Sequence, residues 1–191
     1  MPRPAKNETW STIKNALKGW DAARLTELVH DLYQAGPENR RFLHARLVGA
    51  QAEIEKYRQL VEDALYPNPC GNKPVRIGEA RRIVQHFRQA TGDQAATLDL
   101  MLTFVEAGTR QAADLGYGND SYFRSLENML GDAVAILSTL PMNERDHICR
   151  RMKGIATLAT SIGWGYGDTV NEIVDSKLED DPACRDDAQQ V

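Results

Sequence analysis

The stretch Ala95–Ser121 constrains the fold more than any other part of the sequence. It predicts an apolar helix, a glycine-rich turn and the start of a further helix. A helix that is apolar around most of its circumference is usually buried on most sides. We therefore expect the helix predicted over Gln94–Leu115 to be central, with the rest of the chain packed around it. Its large apolar positions are Leu98, Leu100, Met101, Leu102, Phe104 and Val105.

Helical periodicity recurs along the whole chain, and no alternating run of β-branched residues predicts a strand. We predict an all-α fold of about eight helices in antiparallel helical hairpins, with HEAT- or armadillo-like stacking as one arrangement. Asp21 and Asp93 precede two of the helices as N-caps. The predicted helices cover residues 8–18, 22–35, 37–66, 76–91, 94–115, 121–140 and 143–162, and the last one begins after Gly167.

The pattern divides the chain into four regions. Residues 1–66 form an N-terminal helical region with one long helix over 37–66, whose apolar spacings of four and three are typical of a coiled-coil-like contact. Residues 67–75 form a Pro/Gly linker, because three prolines in this stretch exclude a continuous helix. Residues 76–178 form a helical core with two helix-turn-helix units, and residues 179–191 a disordered acidic tail.

Composition and cysteine usage bound the class of protein. Apolar residues are 42% and charged residues 26%, as in an ordinary globular protein. No run of apolar residues is long enough for a membrane span, and no apolar region of a secretory signal is visible. The chain has three cysteines, an odd number, and they lie far apart in sequence at Cys70, Cys149 and Cys184. We therefore expect that they form no disulfide and that the protein is in a reducing cytoplasm.

Charge is unevenly distributed along the chain. Residues 168–191 hold eight acidic and two basic residues, while the net charge of the whole chain is −4. The remainder is therefore only slightly basic, which is not typical of a nucleic-acid-binding protein.

A near-repeat relates the two aromatic-glycine turns. A shift of 47 residues places Gly116-Tyr117-Gly118 on Gly163-Trp164-Gly165, and one further residue aligns Asp120 with Asp168. Each copy predicts a helix, a turn, an acidic cap and a second helix. This period lies in the range of stacked helix pairs, although two apolar helices ending in glycine also align in this way by chance.

Three segments resemble an uncharacterised bacterial helical family known only as a domain of unknown function. They are LTELVHDLYQAGPENRRFLHARL, DLMLTFVEAGTRQAADLGYGNDSYFRSLENM and IGWGYGD, in this order over roughly residues 20–175. The middle segment departs from the family at Asn119, where relatives carry an acidic residue directly after the turn glycine. The resemblance implies an α-helical protein and no particular activity.

The first candidate site is a polar stripe on the central helix. Asp99, Thr103, Glu106 and Arg110 share one face, and a carboxylate on such an apolar helix needs a partner. Asp99 and Glu106 lie about 10.5 Å apart along the axis, which is far for two direct ligands of one metal. The competing interpretation is structural, with Glu106–Arg110 as a local pair and arginines of neighbouring helices as partners. The candidate partners from neighbouring helices are Arg81, Arg82 and Arg124.

The second candidate site lies between the two turns. Glycine allows close approach of a ligand, each turn leads into a helix N-terminus, and three aromatic rings are available for stacking. The competing interpretation is again structural: a C-cap glycine, an aromatic plug and an N-cap aspartate. The candidate ligand-binding residues of this site are Tyr117, Asp120, Trp164, Tyr166 and Asp168, with Asp99 and Glu106 nearby.

The other features of the sequence give little indication of a functional site. The four histidines are scattered, Cys70 is a lone loop cysteine, and no CxxC, HExxH or GxSxG motif occurs. We expect no catalytic residue, no metal site and no cofactor. A set of arginines would form a basic surface only if their helices align, and pairing with acidic neighbours is the competing account. They are Arg40, Arg41, Arg46, Arg81, Arg82, Arg88, Arg150 and Arg151.

The sequence therefore favours a non-catalytic helical interaction module with another protein as its partner, in the cytoplasm and without a membrane. A small-ligand site or enzyme between the GYGND and GWGYGD turns is the alternative. Nucleic-acid binding through the arginine-rich helix faces is the second alternative, and the sequence gives no oligomeric state.

Overall fold

The computed structural model describes residues 9–71 and 73–180 together with Cys184, and in this part of the chain there are nine α-helices and no strand. The all-α prediction is confirmed. Within the same residues, no helix is long and apolar enough to cross a bilayer. The helices are α1 Trp10–Leu17, α2 Ala22–Ala35, α3 Pro37–Leu47, α4 Ala50–Leu65, α5 Ile77–Thr91, α6 Gln94–Leu115, α7 Asp120–Leu137, α8 Asp146–Ala159 and α9 Tyr166–Asp180, with 3-10 turns at Pro69–Gly71 and Met142–Glu144.

The chain divides into two compact units between Leu43 and His44. The first unit holds α1, α2 and the start of α3. The Asp21 carboxylate accepts a hydrogen bond from the Arg24 backbone N–H at 2.8 Å, which confirms the predicted N-cap of α2. Asn39 donates its side-chain N–H to the Leu32 carbonyl at 2.9 Å, and this bond fixes the turn between α2 and α3.

The prediction of one long helix over 37–66 is wrong. α3 ends at Leu47 and α4 begins at Ala50, because the intervening Gly49 has φ of 116°. Only glycine adopts such a backbone angle without strain, and no helix continues through it. The apolar spacing of four and three runs across the break undisturbed, so periodicity alone did not reveal it.

The second unit is built around α6, as the sequence predicted. Leu98, Leu100, Leu102, Phe104 and Val105 are completely buried. α6 packs against α4, α5, α7 and α8, so four helices cover its circumference. Asp93 caps it by accepting the Ala96 backbone N–H at 2.9 Å.

Two helical hairpins stack within this unit. α6 packs on α7 and α8 on α9, while α6 also packs on α8 and α7 on α9. Corresponding helices of the two predicted copies therefore lie side by side, which is the packing expected of neighbouring hairpins in a helical stack. The repeat in the sequence itself stays a prediction.

The predicted linker at 67–75 connects α4 and α5, which pack against each other within the second unit. It contains the 3-10 turn Pro69–Gly71, and the Arg76 backbone N–H donates to the Ala64 carbonyl at 2.8 Å. The predicted disordered tail at 179–191 lies outside the described residues, apart from the end of α9 and Cys184.

The expectation that no cysteines pair is wrong. Cys149 of α8 and Cys184 form a disulfide, with Cα atoms 5.2 Å apart, and both residues are buried. A sequence separation of 35 residues gave no sign of the pairing. The cysteine count therefore no longer favours a reducing compartment, because disulfides persist mainly in oxidising ones.

Candidate functional site

The polar stripe of α6 is held by two arginines from neighbouring helices. Arg151 of α8 forms a bidentate pair with Glu106, with both N···O distances at 2.7 Å. The same guanidinium donates to Asp99 at 2.6 Å and to the Thr103 hydroxyl at 3.2 Å. Arg58 of α4 donates to the other oxygen of Asp99 at 2.8 Å. One guanidinium thus bridges two carboxylates that lie two helical turns apart.

The partners differ from the arginines that the sequence suggested. The stripe faces α4 and α8, and therefore Arg58 and Arg151 reach it rather than Arg81, Arg82 or Arg124. Glu106 pairs with Arg151, while the Arg110 guanidinium lies 5.6 Å from the centre of the Tyr66 ring. Because Asp99 and Glu106 are both paired with arginines, this set of partners supports the structural interpretation.

The pKa values of the two arginines reflect this pairing. The hydrogen bond to Asp99 raises the pKa of Arg58 above its usual value. Burial by itself lowers the pKa of Arg151, but the hydrogen bond and charge of Glu106, together with Asp99, outweigh it and the net direction is upward. Both guanidinium groups therefore stay charged and cannot act as general bases.

A cavity of about 270 Å³ lies beside Asp99, between α4, the start of α6 and α8. Arg58, Asp99, Glu144 and His147 provide its charged or titratable lining. Sequence reasoning missed Arg58, Glu144 and His147 because these residues come from segments far apart in the chain. The apolar spacing of α4 and α8 predicted which faces of these helices pack. It did not predict which polar side chains meet beside those faces, at the cavity.

The two aromatic-glycine turns meet through a cluster of rings. The Tyr166 ring is fully buried and stacks on Phe123 with centroids 4.8 Å apart. Its hydroxyl lies 2.6 Å from the Thr109 hydroxyl, inside the core. Tyr122 donates its hydroxyl to the Gly108 carbonyl at 2.9 Å. Burial raises the pKa of both tyrosines. Tyr166 therefore acts as a plug between α6, α7 and α9.

The remaining candidate residues of the turns lie at the surface. Tyr117 and Trp164 are 42% and 74% exposed, and Asp120 and Asp168 are exposed in the first turns of α7 and α9. Trp164 has φ of 65°, an angle that is uncommon for any residue other than glycine. Tyr117 makes an edge contact with Tyr122 at 5.1 Å.

The predicted caps of these turns need correction. α7 is capped by Asn119, whose side chain accepts the Tyr122 backbone N–H at 3.0 Å, and Asp120 is already inside the helix. α9 begins at Tyr166, so Asp168 also lies inside it. Gly116 ends α6 in the left-handed region, as predicted. Neither aspartate is the cap, because α7 starts at Asp120 and α9 starts two residues before Asp168.

Other sequence candidates are dispersed or engaged. Arg150 pairs with Asp146 at 2.9 Å and Arg46 donates to the Gln89 carbonyl at 2.8 Å. Cys70 is exposed. Across the described residues, no three histidine, cysteine or carboxylate side chains are grouped closely enough to hold a metal ion.

Comparison with known proteins returned no matching family model, no matching curated protein and no matching solved structure. The resemblance to an uncharacterised helical family therefore stays a prediction.

Proposed function

We propose that this chain is a non-catalytic helical interaction module that binds a second copy of itself through the apolar faces of α1 and α2. The observation that carries the proposal is the exposure of these faces. Neither helix contains a buried residue. Their large apolar side chains are between 38% and 70% exposed. These side chains are Trp10, Ile13, Leu25, Val29 and Leu32.

Short helices with exposed apolar faces gain stability when a partner covers them. α1 has 8 residues and α2 has 14, and isolated helices of about 12–15 residues are marginal in water. Burying one leucine or valine side chain contributes about 1.5–3 kcal/mol. Association through these faces therefore stabilises both the helices and the complex.

The apolar stripe of α2 is suited to pairing with itself. Leu25, Leu28, Val29 and Leu32 have spacings of three, one and three residues, which are the same in both directions. Two copies of α2 packed antiparallel about a twofold axis would place Leu25 of one copy opposite Leu32 of the other. Such a self-complementary surface is the basis of a closed dimer.

Charge along the edge of the stripe supports the same arrangement. Arg24 and Asp31 are seven residues apart and therefore lie on the same edge of α2, where both are exposed. In an antiparallel pair the same edges meet, so Arg24 of one copy would lie near Asp31 of the other. The Arg24 guanidinium packs 4.3 Å from the centre of the Trp20 ring, close to the helix surface.

The proposal is tested by sedimentation equilibrium of the full chain over a range of concentrations. We expect a reversible monomer–dimer equilibrium. Leu25→Glu and Leu32→Glu each place a charge in the apolar seam and should weaken dimerisation at least about tenfold. Leu158→Glu is the matched control, because Leu158 is 36% exposed on α8, outside the first unit, and should leave the equilibrium unchanged.

A charge exchange tests the antiparallel register. Arg24→Glu and Asp31→Arg should each weaken the dimer through like-charge contacts, and the double variant should recover it. A monomer at every concentration would contradict the proposal. If the double variant dimerises no more tightly than the single variants, the antiparallel pairing is contradicted.

A further inference from the structure

A groove lies on the second unit, away from the sites described above. α5 and α7 both pack on α6, and between them remains a space of about 430 Å³. This volume lies within the range of about 300–1,000 Å³ that is typical of ligand pockets. The groove shares no residue with α1 or α2, nor with the polar stripe.

The two walls of the groove carry opposite charges. Arg81 and Arg88 line the α5 wall, about 10.5 Å apart along the helix axis, and Asp132 lines the α7 wall. Within the described part of the chain, none of these three side chains has a salt-bridge partner of its own. Arginine and carboxylate side chains form strong hydrogen-bonded pairs with groups of opposite charge. Arg81, Arg88 and Asp132 are therefore available to pair with the charged groups of a ligand.

Two amide side chains and a thioether floor complete the groove. Gln85 lies on the α5 wall and Asn128 on the α7 wall, and each can both donate and accept a hydrogen bond. Met101 of α6 and Met129 of α7 form an apolar floor and are almost completely buried. Methionine is polarisable and flexible, and it accommodates apolar groups of different shapes.

From this arrangement we infer that the groove binds a short apolar peptide of two or three residues. Its carboxylate pairs with Arg81 and Arg88, its terminal ammonium with Asp132, and its side chains pack on the methionine floor. The amides of Gln85 and Asn128 match the N–H and C=O groups of a peptide unit. In an extended peptide of two or three residues the chain spans about 7–11 Å, so its ammonium and carboxylate are far enough apart to pair with different walls. In a free amino acid both charged groups are attached to the same carbon atom and cannot be separated in this way.

The binding test is titration calorimetry of the full chain with L-leucyl-L-leucine and L-leucyl-L-leucyl-L-leucine. N-acetyl-leucyl-leucine removes the ammonium and leucyl-leucine amide removes the carboxylate. We expect each analogue to bind about tenfold more weakly than the unmodified dipeptide. Free leucine binding as tightly as both peptides would overturn the assignment to a peptide.

Variants assign each end of the peptide to a wall. Arg88→Gln should weaken the binding of leucyl-leucine about tenfold but leave the binding of the amide analogue nearly unchanged. Asp132→Asn should likewise weaken the binding of leucyl-leucine about tenfold but leave the binding of the N-acetyl analogue nearly unchanged. Arg82→Gln is the matched control on α5, since Arg82 is exposed and donates to the Gly78 carbonyl rather than lining the groove. No binding of either peptide, or equal losses in Arg82→Gln and Arg88→Gln, would overturn the inference.

Discussion

One glycine in each of the two turns is explained by packing. A Cβ atom on Gly167 would lie 2.6 Å from the Ala159 carbonyl oxygen, which is a backbone atom of the preceding helix. A Cβ on Gly118 would collide with the Phe123 ring. The glycines that suggested close approach of a ligand thus allow close approach of the chain to itself. The GWGYGD pattern brings the start of α9 against the end of α8.

Replacing Gly167 should therefore destabilise the protein. We expect Gly167→Ala to lower the free energy of unfolding by about 1–3 kcal/mol, because a backbone segment must move to make room. Gly131→Ala is the control, since Gly131 lies inside α7 and a Cβ there would meet nothing within 4 Å. It should raise the free energy of unfolding by about 0.5–1 kcal/mol. Urea denaturation measures both, and changes of the same sign would contradict the packing argument.

Among the helices, α6 shows how an apolar element accommodates charge. Asp99 and Glu106 lie on a helix that is buried over most of its length, and two arginines of α4 and α8 compensate them. The side chains of Asp99 and Arg151 are only 14% and 24% exposed. Removing one member leaves its partners poorly solvated, which costs more than the pair itself contributes. The stripe thereby joins α4, α6 and α8.

Arg151→Ala should lower the free energy of unfolding by about 2 kcal/mol or more, because two carboxylates lose their shared partner. Arg151→Lys should recover part of this loss, since lysine keeps the charge but cannot form the bidentate contact.

The adjacent Arg150 provides the matched control for this prediction. Its pair with Asp146 is exposed, at 71% and 69%, so Arg150→Ala should cost less than about 1 kcal/mol in the same denaturation experiment. Equal losses for Arg150→Ala and Arg151→Ala would show that the stripe is solvated like an ordinary surface pair.

For the whole molecule, the disulfide is the feature that most changes the expectation from sequence. Cys149 and Cys184 join α8 to a residue beyond α9, while Cys70 is exposed and unpaired. Under the chain-entropy account, a crosslink that spans 35 residues stabilises the folded state by about 3–4 kcal/mol. The second unit is therefore held by a covalent link as well as by the packing around α6.

Alkylation of unfolded protein tests this link directly. Protein unfolded without a reducing agent should incorporate one alkyl group, at Cys70, and three after reduction, as measured by mass spectrometry. Alkylation of all three cysteines without reductant would contradict the disulfide. The Cys149→Ser and Cys184→Ser double variant should accept one group under both conditions, which controls for incomplete reaction.

The sequence by itself determined the helices and the centre of the fold. The cap at Asp93, the end of α6 at Gly116 and the burial of Leu98 follow from residues within a few positions of each other, because capping and helical periodicity are local. Local pattern did not reveal the break at Gly49, where one backbone angle interrupts a continuing apolar spacing.

Only the tertiary structure decided which distant groups meet. Asp99 binds Arg58 and Arg151, which are 41 and 52 residues away in sequence. The disulfide, the aromatic plug at Tyr166 and the groove between α5 and α7 are likewise products of helix packing. The physical reason is that an apolar face specifies that a helix is buried, whereas the partner of each polar side chain depends on how the buried helices are arranged.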